Sequence, residues 1–438
     1  NEQIEALREQ MGIAPEAIWD AFDADTIAGQ LCAEAAKRLY GAPKTAPTVL
    51  SPSAIPETIG LPTTGSSSTQ EAFGRALVRM VDLPAVRERI VTTAPDVSMS
   101  TNLAGWINKT GVFSSVEEPE YEGEGQLLMR WRRSPKGQHV ELGISEMNLF
   151  MLLSMFGLSA ELSGQQLIPI GTVYDPFVCR GLDALIYGLY SGSKFIFAGT
   201  PAGVTLSPEG GAHQSTITAS IGMELPNLNF VEPTFTCEVE WALLEAMREC
   251  CDREHGRATY LRLSTRPIDQ SLLNPARERL GEATLRQQVL NGGYRLVEGR
   301  SATDANAPVV QIATSGVMVP EAIEAARYLQ REGVAANVLN LTNPRRLYEH
   351  WQAARKDGSG PQALDWLIPA HERRAPIVTV HDAASHALSW LGSVHGAPTT
   401  ALGVDKFGQS GARNDLYRYV GIDTQSIIEA AFTLVDEL

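Results

Sequence analysis

The feature that most constrains this chain is an alternation of two periodicities. Short β-branched and apolar runs are separated, again and again, by stretches with helical spacing. Arg89–Ala94, His139–Leu142, Gln166–Ile170, Lys194–Ala198 and Thr259–Leu263 read as strands, with helices expected from Ser145, near Arg180–Tyr190 and over Thr234–Arg248. Parallel neighbours need a crossover connection, and a helix is the usual one, so the pattern predicts a parallel sheet covered on both faces. A smaller set follows a connector at about 267–290: strand Val309–Ala313, helix Val319–Gln330, and strands Ala336–Leu341 and Pro376–His381. The expected fold class is α/β, with two three-layer α/β/α domains built on mainly parallel sheets over residues 68–272 and 290–438. Residues 1–67 are expected to form an N-terminal helix and an extended linker arm, because Gly41–Ser67 carries Pro43, Pro47, Pro52, Pro56 and Pro62. Ser68 and Glu71 make a capping box, and Phe73, Leu77 and Met80 follow at helical spacing, so a helix opens the first domain.

Charge and composition exclude some functions. The chain has 36 Lys+Arg against 51 Asp+Glu, a formal charge of −15, which disfavours a nucleic-acid partner. Its most apolar run, Met147–Ala160, is broken by Asn148, Ser154, Gly157 and Ser159 and falls short of the roughly 20 residues that span a bilayer, so no membrane partner is expected. Five cysteines without C-x-x-C spacing fit a reduced, cytoplasmic setting. The first residue is Asn, which suggests a processed, trimmed or separately encoded part of something longer.

Between Leu142 and Ala160 the only ionisable side chain is Glu146, one turn into a helix that is apolar on nearly every side. Such a helix is expected to be buried all round. A buried carboxylate must raise its pKa or find strong hydrogen bonds, and a shifted acid at a helix start is useful chemistry. The alternative is a structural Glu paired with an Arg such as Arg180, or one favoured by the helix dipole. A second constellation is Ser207-Pro208-Glu209-Gly210-Gly211-Ala212-His213-Gln214, a glycine-rich loop in which His213 and Glu209 are candidate acid or base groups. His371, His381 and His386 show no metal-ligand spacing, and the chain has no Walker lysine motif, no G-x-S-x-G and no G-x-G-x-x-G after a strand. The acidic stretch Glu117–Glu124, followed by Arg130-Trp131-Arg132-Arg133, reads as a solvated loop or a mobile cover over a site.

Taken in order, these stretches resemble the C-terminal half of a thiamine-diphosphate enzyme of the transketolase superfamily, most of all the homodimeric E1 component of bacterial pyruvate dehydrogenase complexes. The residues that carry the resemblance are Gly143-Ile144-Ser145-Glu146, Ile168-Pro169, Tyr174 with Phe177, Glu209-Gly210 to His213, Pro226-Asn227 to Pro233, and the closing set Leu402-Gly403, Asp405, Phe407-Gly408, Ser410, Arg413, Leu416 and Asp423. The resemblance implies a pyrimidine-binding, transketolase-like domain and a transketolase C-terminal domain. Glu146 would contact N1′ of the aminopyrimidine, Phe177 would stack on that ring with Tyr174 beside it, and Glu209 and His213 would stand near the reacting carbons. Asp96 and Arg180 complete the expected cofactor contacts.

The implied activity is that of a 2-oxo acid dehydrogenase E1: decarboxylation of pyruvate or a related 2-oxo acid, and acyl transfer to a lipoyl group on an E2 partner. Two departures bear on it. His213 is followed by Gln214-Ser215-Thr216-Ile217, more like the His-Gln of transketolases, and no Gly-Asp-Gly, the family's Mg2+ and diphosphate motif, occurs in the 438 residues. The chain is therefore expected to be a β-like subunit without metal ligands of its own, dimerising with its own copy. A second polypeptide, an α-type subunit or a cleaved N-terminal half, would supply Mg2+ and diphosphate binding in a heterotetramer. Alternatives are a split transketolase or carboligating synthase, for which Arg130, Arg132, Arg133 and Arg266 are candidate phosphate contacts, and a non-catalytic scaffold, against which Glu146 argues.

Overall fold

The computed structural model describes residues 1–40, 46–117, 131–299 and 307–437, which fall into two units, Asn1–Pro47 and Thr48–Leu438. The first unit holds two helices, Glu2–Gln10 and Ile27–Tyr40, rather than one, with a 3-10 turn at Pro15–Ala17 between them. Pro15 and the loop that follows explain the break, since proline starts a helical turn but cannot continue one.

Thr48–Ser67, which the sequence assigns to the arm, packs on the larger unit. Leu50 N–H donates to Gln166 Oε1 at 2.7 Å, and Ile55 and Leu61 are buried in the core. The buried Glu240 carboxylate gathers the backbone N–H groups of Ile59, Gly60 and Leu61 at 2.7, 3.2 and 2.9 Å.

The first sheet has eight strands, all parallel, in the order Arg133–Ser134, Val112–Phe113, His139–Glu141, Ile90–Ala94, Ile168–Val173, Ile196–Gly199, Ala258–Arg262, Leu228–Val231. On one face, helices Thr69–Met80 and Thr236–Cys251 bury Phe73, Leu77, Leu243 and Met247. On the other, Glu146–Gly157 and Leu182–Tyr190 bury Leu149, Phe150, Leu153 and Leu185. The Ser68 and Glu71 capping box is present.

The second sheet runs Tyr294–Val297, Ala335–Asn340, Val309–Thr314, Ile377–Val380, Thr399–Leu402, with only the first strand antiparallel. Both sheets are the mainly parallel α/β layers the alternation implies. The two-to-four-residue strands Val112–Phe113, Arg133–Ser134, Leu228–Val231, Tyr294–Val297 and Thr399–Leu402 are additions to the sequence reading, because runs that short carry no decisive period. The connector at about 267–290 contains two helices, Asn274–Leu280 and Glu282–Asn291.

One expectation is overturned. Helix Glu146–Gly157 is not buried all round, since Met147, Met151 and Met155 are 39, 54 and 55 % exposed. They recur every fourth residue and so form one stripe, while Leu149, Phe150 and Leu153 face the sheet. Ile186 and Tyr190 on the adjoining helix Leu182–Tyr190 are also exposed.

Candidate active site

Ligands of parallel α/β sheets gather outside the carboxyl ends of the strands. Here Glu146 starts the helix that follows strand His139–Glu141, Tyr174 follows Ile168–Val173, and the loop with His213 follows Ile196–Gly199. Three crossovers thus place their first residues on one edge. Gly181 closes the gap between two of them, because a Cβ there would strike the Phe150 ring and the Glu146 carbonyl.

The side chains form a connected cluster. Glu146 is 7 % exposed, and its Oε1 accepts from Arg180 Nη1 at 2.9 Å. The same guanidinium lies 3.7 Å above the centre of the Phe177 ring. Phe177 and Tyr174 are near-parallel, 19° apart with centroids at 6.1 Å, and His213 meets both edgewise at 5.5 and 5.9 Å. The paired-Arg reading of Glu146 is thereby realised, yet Arg180 is itself half exposed. An ion pair with one partner in solvent is weak, roughly 0–1 kcal/mol, and can be exchanged for another donor.

Asp175, between Tyr174 and Phe177, fixes that geometry. Its buried carboxylate accepts from Thr218 Oγ1 at 2.6 Å, Arg262 Nε at 3.0 Å, Ser215 and Tyr260. The turn carrying the aromatic pair is thereby tied to the end of the His213 loop. Arg262 continues the network to Glu232 Oε1 at 2.5 Å, whose other oxygen meets His381 Nε2 at 2.5 Å. Burial alone would raise the Glu232 pKa, but His381 and Arg262 outweigh it and hold it at about 2. Burial pushes Asp382 above the usual carboxylate range despite Arg262 and its hydrogen bonds.

Two expected residues are exposed. Asp96 is exposed at the end of strand Ile90–Ala94, in the left-handed region at φ 62°, and its N–H donates to Glu141 Oε1 at 2.9 Å. Burial would raise the Glu141 pKa, but hydrogen bonds from His139, Ser98 and that N–H lower it. Glu209 is exposed at the end of the 3-10 segment Val204–Glu209. Arg266 is a correction: its half-buried guanidinium is taken by Glu321 at 2.7 Å and by Val317 O at 2.9 Å, so it is no phosphate contact at a site mouth. Beyond Glu117 the acidic stretch lies outside the described residues, as does Arg130. Among the described residues no group of three or more His, Cys, Asp or Glu could hold a metal ion, and no helix is long and apolar enough to cross a membrane. Sequence reasoning missed Asp175, Glu232, Arg262 and Asp382, since lone charges at strand ends carry no periodic or motif signal.

The model of the pyruvate dehydrogenase E1 component middle domain matches residues 56–264, and that of the transketolase-like C-terminal domain matches 292–423. The chain belongs to the transketolase superfamily of thiamine-diphosphate enzymes and corresponds to their C-terminal half.

Among its relatives, the pyruvate dehydrogenase E1 component of Pseudomonas aeruginosa is 24% identical over 383 residues, covering 83% of this chain and 41% of the relative. The 6-deoxy-6-sulfo-D-fructose transketolase subunit SqwH of Clostridium sp. is 25% identical over 314 residues, covering 70% of this chain and 85% of the relative. The fold is that of transketolase from Campylobacter jejuni, with TM-score 0.68, 17% identity and coverage of 99% of this chain and 58% of that one. It is likewise that of a split gene transketolase solved as an inactive β4 tetramer, with TM-score 0.56, 19% identity and coverage of 84% and 99%. The chain spans about two fifths of the curated E1 relatives it matches.

Proposed function

We propose that this chain supplies the pyrimidine-binding half of a thiamine-diphosphate site, as the β-like subunit of a 2-oxo acid dehydrogenase E1. The observation that carries the reading is the buried Glu146 carboxylate beside the Phe177 face, at the carboxyl edge of a parallel sheet. The donor set fits an aminopyrimidine. Phe177 already accepts a flat nitrogen-bearing group on its face, and Glu146 already takes a hydrogen bond from that group.

The bound cofactor supplies a nucleophilic carbon and an electron sink for decarboxylation. Glu146, itself 7 % exposed, would hold a proton at a ring nitrogen of the pyrimidine, where the burial of the carboxyl strengthens the bond. Phe177 and Tyr174 orient the ring, and Arg180 moves from the Phe177 face to the ring's edge. Asp96 stands at the neighbouring strand end for the cofactor's other side. His213 and Glu209 move protons near the substrate carbonyl.

Mg2+ and the diphosphate are held by a second chain, an α-type subunit or a cleaved N-terminal half. A copy of this chain covers the exposed Met147, Met151 and Met155 stripe. The acyl group passes from a pyruvate-like 2-oxo acid to a lipoyl E2, in the cytoplasm. A second reading is a split transketolase, in keeping with the likeness to the SqwH transketolase subunit and to the split gene transketolase.

The test is exchange of the thiazolium C2 proton, followed by NMR, in the chain reconstituted with a diphosphate-domain partner. Glu146→Gln should slow it by about 10²- to 10⁴-fold with the fold intact, and near-normal exchange would overturn the assignment. Turnover of a 2-oxo acid panel with a lipoyl domain, against aldehyde acceptors, separates the two readings.

A further inference from the structure

The loop that carries Glu209 and His213 is held from outside the first sheet. It leaves strand Ile196–Gly199, runs from Gly203 to Ser215, and closes on itself through Gly203 N–H to Ser215 Oγ at 3.1 Å. Its start rests on Asp382, which follows strand Ile377–Val380 of the second sheet. Asp382 Oδ1 accepts from Val204 N–H at 2.8 Å, and Oδ2 accepts from Thr205 N–H at 3.1 Å and from the Thr205 hydroxyl.

Gly203 has φ +71°, and a Cβ there would run into the Asp382 carboxylate, so the approach demands glycine. The far end is held as well: Gln214 Nε2 donates to Gln409 O at 3.0 Å, and Gly411 N–H donates to Ser207 O at 3.3 Å. A side chain at Gly408 would strike the Gln214 amide.

We infer that Asp382, in the second domain, is a positioning residue for His213, setting the loop Gly203–Ser215 against the Tyr174 and Phe177 pair. The inference rests on the proposed role of His213 and gives the C-terminal domain a part in the chemistry. A carboxylate taking two consecutive N–H groups and a hydroxyl fixes the direction in which the loop departs. Backbone donors to a charged acceptor make the stronger class of hydrogen bond, and here solvent does not compete for them. A shift of about 1 Å in a catalytic group can cost about 100-fold in rate.

The experiment has two arms. In the chain alone, Asp382→Ala should raise amide hydrogen exchange at Val204 and Thr205 by at least about tenfold while strand Ile168–Val173 keeps its protection. Unchanged exchange there overturns the inference. In the complex reconstituted with thiamine diphosphate and the partner chain, Asp382→Ala should lower turnover by about 100-fold. C2 proton exchange, which depends on Glu146, should stay within about twofold. Added to His213→Ala, Asp382→Ala should make turnover no worse than the poorer single variant, because the two act as one unit. Multiplying effects, or a parallel fall in C2 exchange, would show that Asp382 acts by general destabilisation and overturn the inference. Full turnover with His213→Ala alone would instead refute the role of His213, and the amide arm would still judge the brace. If Asp382→Ala does not fold, Asp382→Asn keeps the volume and one acceptor oxygen for the same measurements.

Discussion

Arg262→Met removes the one guanidinium that two buried carboxylates share. Arg262 Nε meets Asp175 at 3.0 Å and Nη1 meets Glu232 at 2.5 Å, and Nη2 donates to Ser215 Oγ at 3.2 Å and Asp382 O at 2.9 Å. Deleting one partner of a buried pair costs about 3–5 kcal/mol, because the remaining charge has no solvent. Neutralising one carboxylate instead gives a second figure. Protonating Glu232 at pH 7 from its ordinary value of 4.5 costs about 3.4 kcal/mol, at 1.36 kcal/mol per pH unit. The two figures are of the same size, so the expected loss at pH 7 is about 3–5 kcal/mol, a fall of roughly 4–6 °C in Tm for a unit of roughly 390 residues.

The pH dependence flattens. In the unaltered chain Glu232 is depressed to about 2, so its contribution is present above pH 4.5 and is lost as pH falls through the folded value. In the variant His381 still pairs with Glu232 but Arg262 no longer helps to depress it, so the stability that acidification takes from this carboxylate is smaller than in the unaltered chain. Thermal unfolding followed by circular dichroism at pH 7, 5 and 3 gives both quantities. A Tm within about 2 °C of the unaltered chain at pH 7, or parallel losses on acidification, would refute the reasoning.

Two further outcomes are expected. Glu240→Ala frees the N–H groups of Ile59, Gly60 and Leu61, costing about 1.5–3 kcal/mol locally, and amide exchange at those residues should rise while helix Thr236–Cys251 stays protected. Arg180→Ala should change Tm by less than about 2 °C, because its partner Glu146 is buried but the guanidinium is half exposed. A fall beyond about 5 °C would make the pair a structural support and Glu146 a packing residue.

Part of the cluster stands out before folding because it breaks a local rule: Glu146 is a lone charge in an apolar stretch, and His213 lies in a glycine-rich loop. Tyr174 and Phe177 carry no such signal and enter only through the family resemblance. The exposure of Met147, Met151 and Met155 is not legible. An apolar residue on a helix reads the same whether its own chain or another covers it. Arg266 fails similarly, since the sequence shows a charge after a strand and hides the Glu321 that claims it.

By itself the sequence determined the alternating elements, the capped first helix and the placing of Glu146 at a helix start, because hydrophobic period and capping act over a few residues. Only the tertiary structure decided which charges meet. Asp175 and Arg262 are 87 residues apart, Glu232 and His381 are 149 apart, and Thr205 and Asp382 are 177 apart. Their cost in isolation is what drives them together: a buried carboxylate is stable only where the fold delivers a donor, and no short-range pattern records where that donor comes from.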